Sequence, residues 1–216
     1  MITFSCVRGA LVAVALCSAA SIVNAGIVYT PIYNSANGHY YAQITSYNAL
    51  YPDGMTWDQA KNVASSLSFS DGSGQMFTGH LATITSAVET DWIVANLYEA
   101  VTNRYFLGGS QAAGATNPTD NWAWVTGEAW SYTNWEPTQP EPNDGGDWIE
   151  NGEENVLTLW IARFDPTGQY PLGVWNDQPT NHIEYGFVVE FEPTIPSPGA
   201  LALVGLGGLV ANGRRR

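Results

Sequence analysis

Between Trp135 and Asp177 the chain carries oxygen-bearing side chains in an order that suits a hard cation. Glu141-Pro142-Asn143 comes first, Glu154 follows, and Trp175-Asn176-Asp177 closes the stretch. Calcium takes six to eight oxygen ligands in an adaptable geometry. Glu141, Asn143, Glu154, Asn176 and Asp177 offer three carboxylates and two amides, and one aspartate backbone carbonyl adds a further oxygen. Such a set leaves coordination positions open for neutral hydroxyl groups. The stretch holds no thiolate and no imidazole, so zinc fits it poorly. Each piece alone is ordinary, since Glu-Pro-Asn is a common turn and Asn-Asp is common loop chemistry. Their combination carries the reading.

The flanking sequence shows which elements must position these groups. Tyr40 to Ile44 alternates as a strand does. Thr56 is placed to cap a helix whose apolar positions are Trp57, Ala60, Val63, Ala64 and Leu67. Ser68 to Gly79, rich in Ser and Gly, reads as a loop, and His80 to Thr85 as a short strand. Ser86 with Glu89 three residues later forms a capping box. It opens a second helix to about Leu97, with Val88, Trp92, Ile93 and Leu97 expected inward. Beyond Arg104 the texture changes to short strands and long loops. Tyr105-Phe106-Leu107, Trp122-Ala123-Trp124, Asn155 to Ile161, Gly173 to Trp175 and Tyr185 to Phe191 read as strands. Thr126 to Gly152 is a long loop dense in Pro, Gly, Asn and Asp, and loops of that length are usually functional or disordered. Two helices followed by strands predict an α+β domain.

Over residues 38 to 192 this ordered set resembles the C-type lectin-like domain with a Glu-Pro-Asn sugar-binding calcium site. Trp57-Asp58-Gln59-Ala60 resembles the start of that family's first helix. Leu81-Ala82-Thr83-Ile84 with Glu89 is similar to its first core strand and second helix. Phe106-Leu107-Gly108-Gly109 stands at its Trp-Ile-Gly-Leu motif, and Tyr132-Thr133-Asn134-Trp135 precedes Glu-Pro-Asn as in the family. Glu154-Asn155-Val156 and Phe187-Val188-Val189-Glu190 match segments that usually carry cysteines. The resemblance implies two helices with short antiparallel strands and a long calcium-binding loop. It also implies a cis Glu141–Pro142 peptide, tolerable because the second residue is proline, and mannose-, glucose- or fucose-type ligands with equatorial vicinal hydroxyls. The same five residues would hold the ion and the sugar. Two hydroxyls would coordinate the ion, donate to the carboxylates and accept from the Asn amides.

Departures from the family are specific. Its four cysteine positions hold Ala64, Val156, Thr180 and Val189, so both usual disulfides are missing. Ten residues separate Asn143 from Glu154, about twice the family's gap. This insert brings Asp147, Trp148 and Glu150 and could displace Glu154 from the ion. Trp148 is placed either to stack on a sugar or to cover the core. At the family's auxiliary calcium site Asp144 fits, but Gln111 stands where a carboxylate is expected.

The ends of the chain read as targeting segments. Met1 to Ala25 combines Arg8, the apolar run Ala10 to Ala20 and the small-residue site Val23-Asn24-Ala25, which predicts a secretory signal peptide cleaved after Ala25. Residues 26–193 are expected to form the C-type lectin-like domain that the resemblance implies. Residues 194–216 resemble the PEP-CTERM sorting tail of exopolysaccharide-making bacteria. Ile195-Pro196-Ser197-Pro198-Gly199 leads into the apolar run Ala200 to Ala211 and then Arg214-Arg215-Arg216, with Ser197 in place of the motif's Glu. That resemblance implies an exosortase-type processing enzyme, and localisation as a secreted or cell-envelope protein near matrix polysaccharide.

Both cysteines, Cys6 and Cys17, fall inside the leader, so the mature fold must rest on packing alone. All 20 acidic residues but just three bases (Lys61, Arg104, Arg163) lie between Gly26 and Pro193, a balance near −17 against −13 for the whole chain. That balance argues strongly against nucleic acid or anionic membrane as a partner. No nucleophile motif, Ser-His-Asp arrangement or phosphate loop accompanies the carboxylates and His39, His80 and His182, so catalysis is not expected. The expected function is exported, calcium-dependent carbohydrate binding. The rival is a calcium-stiffened structural or protein-binding scaffold in the extracellular matrix.

Overall fold

The computed structural model describes residues 22–24, 27–45, 51–97, 104–137, 141–144, 153–160 and 172–194. The body of the expected leader, the tail from 195 onward and the insert residues Asp147, Trp148 and Glu150 lie outside them. In chain order the first elements are β1 (Ile22–Asn24), β2 (Ile27–Tyr29), β3 (Ile32–Asn34), β4 (His39–Thr45), α1 (Trp57–Ser66), β5 (Ser68–Ser70) and β6 (Met76–Leu81). The later ones are α2 (Ala87–Asn96), β7 (Arg104–Gln111), β8 (Trp122–Trp124), β9 (Val156–Trp160), β10 (Trp175–Gln178) and β11 (Gly186–Pro193).

β11 organises the sheet. It pairs antiparallel with β4 from Gly186↔Thr45 to Phe191↔Tyr40, and with β6 from Val189↔Leu81 to Pro193↔Phe77. It meets β7 in parallel at Phe187↔Phe106, the one departure from the expected antiparallel pairing around this strand. From there the sheet runs on through β9 to β10. Side chains alternate faces along a strand, and β11 is buried on both. Phe187, Val189 and Phe191 join α1 residues Trp57, Ala60 and Ala64 in one core, whereas Val188 joins Ile93 of α2, Leu107, Trp122, Trp124, Leu157 and Trp175 in the other.

Each large side chain taken fully out of water stabilises by about 1.5–3 kcal/mol, and the first core takes in three of the four positions where the resemblance implied cysteines. Ala64, Val156 and Val189 are buried in the first core. Thr180, the fourth replacement, is exposed instead.

α1 forms as the sequence predicts. Thr56 caps it, accepting from the Gln59 amide while the Gln59 side chain returns to the Thr56 amide. α2 is capped by Ser86, which accepts from the Glu89 amide, but the inward face differs from expectation. Ile93 and Leu97 are buried as expected, but Val88 is 66% exposed, and Glu89 and Thr90 are buried in its stead. Glu89 does not close a capping box. Its carboxyl group bonds the Thr85 amide and hydroxyl and the Tyr41 hydroxyl, so a polar tertiary contact sets the helix rotation.

Ser68 to Gly79 is not a loop. β5 and β6 form a hairpin with Phe69 opposite Phe77, stacked at 5.1 Å. Asp71 Oδ1 accepts from the Ser73 and Gln75 amides at the turn. The two aromatic residues supply a buried face that the Ser/Gly composition conceals. The strand expected over His80 to Thr85 therefore begins earlier, at Met76, and ends at Leu81. β7 runs through Gly108 and Gly109; a Cβ on either would meet backbone or side-chain atoms within 3 Å, so glycine is what lets the strand pack this closely. β10 starts at Trp175, two residues later than expected, and so carries Asn176 and Asp177 inside a strand.

Candidate metal and ligand site

The site begins at Trp175, where two segments are stitched together. The Trp175 amide donates to Asn134 O at 2.8 Å, and the Glu136 amide donates to Trp175 O at 2.9 Å. Residues 134–136 thus run alongside β10. Trp175 is fully buried and packs edge-on against Trp124, Tyr132 and Trp135. This aromatic anchor fixes the next two residues, Asn176 opposite Thr158 and Asp177 opposite Leu157 of β9.

Asp177 is fully buried and holds the turn that follows Glu141. The Glu141–Pro142 peptide is cis, as the resemblance implied. Asp177 Oδ2 accepts the Asn143 amide at 3.0 Å and the Asp144 amide at 3.2 Å, with Asp144 turned into the left-handed region at φ 55°. The Glu141 amide in turn donates to Glu136 O at 3.2 Å. The turn is therefore held from both sides.

Glu141 and Asp177 are in hydrogen-bond contact through their carboxyl groups. One oxygen of each, Glu141 Oε2 and Asp177 Oδ1, is buried with no hydrogen-bond partner. Burial, the hydrogen bond to Asp177, and the charges of Asp177, Glu154 and Glu136 push the Glu141 carboxyl up to about 8. Burial also raises Asp177, against the opposing hydrogen bonds from Glu141 and the Asp144 and Asn143 amides. Two carboxylates in contact cannot both ionise cheaply without a compensating positive charge. A buried carboxylate oxygen without a donor is costly for the same reason. The donor set, all oxygen, matches a hard cation.

The remaining predicted residues are placed less tightly. Glu154 is buried and near enough for its charge to raise Glu141. The carboxylates of Glu141, Glu154 and Asp177 are nevertheless not all within 4.8 Å of one another. Among the described residues the one acidic and histidine trio that meets that distance is His39, Glu190 and Glu192, elsewhere in the sheet. Asn176 is buried, and its Nδ2 donates to Asp177 O at 2.5 Å. Asn143 is exposed. Gln111 plays a structural part. Its side-chain amide donates to the carbonyls of Asn117, Pro118 and Asp120 at 3.0, 3.0 and 2.7 Å, tying down the loop before β8.

Sequence reasoning missed Glu136. It is buried, and its charge adds to the pressure on Glu141. Its position directly after Trp135 was the available signal. The three histidines all bond protein groups: His39 to Glu190, His80 to Leu81 O and His182 to Glu184.

No protein-family model matches the sequence, and no curated protein matches it. Solved structures do. The cow C-type carbohydrate-recognition domain of CD23, crystallised in the presence of GlcNAc2Man3 oligosaccharide, is 18% identical over 82% of this chain and 100% of its own, with a TM-score of 0.52. The Ca2+-free form of a Ca2+-dependent type II antifreeze protein is 18% identical over 74% of this chain and 95% of its own, with a TM-score of 0.47. With two helices flanking a mixed sheet, the chain has the α+β C-type lectin-like fold.

Proposed function

We propose that the protein is an exported carbohydrate-binding protein that uses calcium, held by Glu141, Asn143, Glu154, Asn176 and Asp177. One observation carries this reading: two buried carboxyl groups in contact on a cis Glu-Pro turn, with Glu141 Oε2 and Asp177 Oδ1 reached by no amide or hydroxyl donor. A bound calcium ion would supply the missing positive charge and leave positions for two sugar hydroxyls. The chain's own groups would orient the sugar. Carboxylate oxygens accept from its hydroxyls, and the Asn143 and Asn176 amides donate to them. Asp177 Oδ2 holds the turn to β10, so the protein presents the Glu141 oxygens from a fixed backbone.

That Glu141, Glu154 and Asp177 do not all lie within 4.8 Å of one another favours a second reading, in which calcium stiffens the long loop of a protein-binding or matrix scaffold. Calcium titration by calorimetry tests the shared premise. One ion per chain is expected, with binding lost in Glu141→Gln and in Asp177→Asn. Unchanged binding in both variants would remove the site. We further propose a leader ending at Ala25 and a tail, 194–216, that directs sorting through an exosortase-type enzyme, on the composition of those segments. Cleavage after Ala25 would remove β1 and leave β2.

A further inference from the structure

A second group of buried titratable side chains lies outside this site. Tyr41 of β4 and Glu190 of β11 are direct partners across the sheet, on the face that α2 covers. Glu89 reaches them from the first turn of α2. Exposure is 0% for Tyr41, 1% for Glu190 and 6% for Glu89. The Tyr41 hydroxyl oxygen lies 2.5 Å from Glu89 Oε1 and 2.8 Å from Glu190 Oε1, and it accepts from Asn37 Nδ2 at 2.7 Å. His39 Nδ1 lies 2.6 Å from Glu190 Oε1.

The protons do not balance if both carboxyl groups are ionised. A phenol has one proton and can donate it to one acceptor. Two oxygens approach to 2.5–2.8 Å only with a proton between them. A second proton must therefore sit on a carboxyl oxygen facing Tyr41. The outer oxygens are ruled out, because each accepts a backbone amide: Glu89 Oε2 from Thr85 at 2.9 Å, and Glu190 Oε2 from Thr83 at 2.9 Å. Glu190 Oε1 already receives the His39 ring. Glu89 Oε1 is left.

We propose that Glu89 is a neutral carboxylic acid at neutral pH, and that Glu89, Tyr41, Glu190 and His39 form a proton-holding latch that fastens α2 to the sheet. Glu89 donates to the Tyr41 oxygen, and Tyr41 and His39 donate to the Glu190 carboxylate. Ionising Glu89 sets two buried carboxylates against one phenol proton and slackens the latch. A pocket of about 230 Å³ lined in part by His39, Ser86, Glu89 and Glu190 opens onto it, so protons exchange with solvent.

The surrounding charges agree. Burial first, and then the Glu190 charge, raises Glu89 against its hydrogen bonds with Tyr41 and Thr85. The Glu190 hydrogen bond raises His39 against its burial, with the charges of Glu190 and of Glu192 in β11 adding to the rise. Glu190 itself stays low despite burial, through His39, the His80 charge from β6, the Thr83 amide and Tyr41. Glu128, after β8, meets the network through the Thr83 hydroxyl at 2.6 Å. The sign follows. Raised Glu89 and His39 stabilise the fold below their ordinary values, 4.5 and 6.5, and that stability is lost as pH rises through their folded values. Lowered Glu190 sets the acid limit, because its contribution disappears as pH falls through its folded value.

Carboxyl-carbon NMR on the full chain tests the latch. In chelator, one glutamate besides Glu141 should stay protonated at neutral pH, be unmoved by added calcium, and be missing from Glu89→Gln. Backbone connectivity along α2 assigns the signal even if that variant does not fold. Glu89→Gln mimics the neutral acid, so in saturating calcium its Tm should fall less than wild type's as pH is raised above neutral. A Glu89 carboxyl ionised at neutral pH overturns the proposal. So does a Glu89 signal shifted by calcium, which would mean that a cation rather than a proton holds the cluster. An equal Tm slope in Glu89→Gln also overturns it.

Discussion

Asp177 divides its work between two oxygens: Oδ2 takes the Asn143 and Asp144 amides, and Oδ1 is left buried without a donor. Two substitutions separate these roles. Asp177→Asn keeps an acceptor for the amides and removes a charge from the crowded pair. Its calcium-free form should melt no lower than wild type's, yet calcium should no longer raise its Tm. Asp177→Ala loses the acceptor too and should cost a further ~1–3 kcal/mol, read by denaturant unfolding in chelator. The pair also predicts a proton linkage. Glu141 holds its proton more tightly folded than unfolded, so its contribution to calcium-free stability is whole below 4.5 and is lost as pH rises through about 8. Calcium should expel that proton. Calorimetry in buffers of different ionisation enthalpy should show proton release at neutral pH that fades above about pH 9; no dependence on buffer would contradict the pairing. The residue types and their order made Glu141 and Asp177 legible in the sequence. The amides of Asn143 and Asp144 were not, because backbone donors leave no mark in side-chain identity. Glu136 was overlooked because its burial depends on the Trp175 pairing.

At the scale of elements, α2 shows what a pattern can and cannot fix. Its start was legible from Ser86, and Ser86→Ala should cost about 1 kcal/mol, a Tm loss of roughly 2–4 °C for a domain of this size. Its rotation was not legible. Val88 looks like a core position by spacing, yet the Glu89 carboxyl is drawn inward by Tyr41 and Thr85, and Val88 is left at 66% exposure. Val88→Lys should therefore change stability by less than about 0.5 kcal/mol, whereas a core valine would lose several times that. Gly173 ties the same helix to the site. It sits at φ +82°, where an added Cβ would meet Thr90 Cγ2 at 2.8 Å and Val94 Cγ2 at 3.0 Å. Gly173→Ala should destabilise by more than about 1 kcal/mol and weaken calcium binding, because β10 begins two residues later. The β5–β6 hairpin is hidden in the sequence for the opposite reason to α2. Its two phenylalanines are buried among Tyr40 and Phe191, but the surrounding Ser and Gly carry the composition of a loop.

At the scale of the molecule, both cores are dense in aromatic side chains, and Ala64, Val156, Thr180 and Val189 stand where the resemblance implied cysteines. Reducing agent should then leave the Tm of the mature domain unchanged, unlike that of a disulfide-stapled fold. If the tail directs sorting, deletion of residues 196–216 should release a folded domain into the medium. Retention in the envelope would assign anchoring to the domain itself. Above all, calcium is proposed to bridge the Glu141–Asp177 pair to a sugar, and retention on immobilised mannose is the decisive measurement. Retention in calcium is expected, with elution by chelator or free mannose and no retention of Asp177→Asn. Retention that persists in chelator would contradict the bridge. Saturating calcium binding with no retention of any mannose-, glucose- or fucose-type ligand would contradict it as well, and would leave calcium as the stiffener of a scaffold.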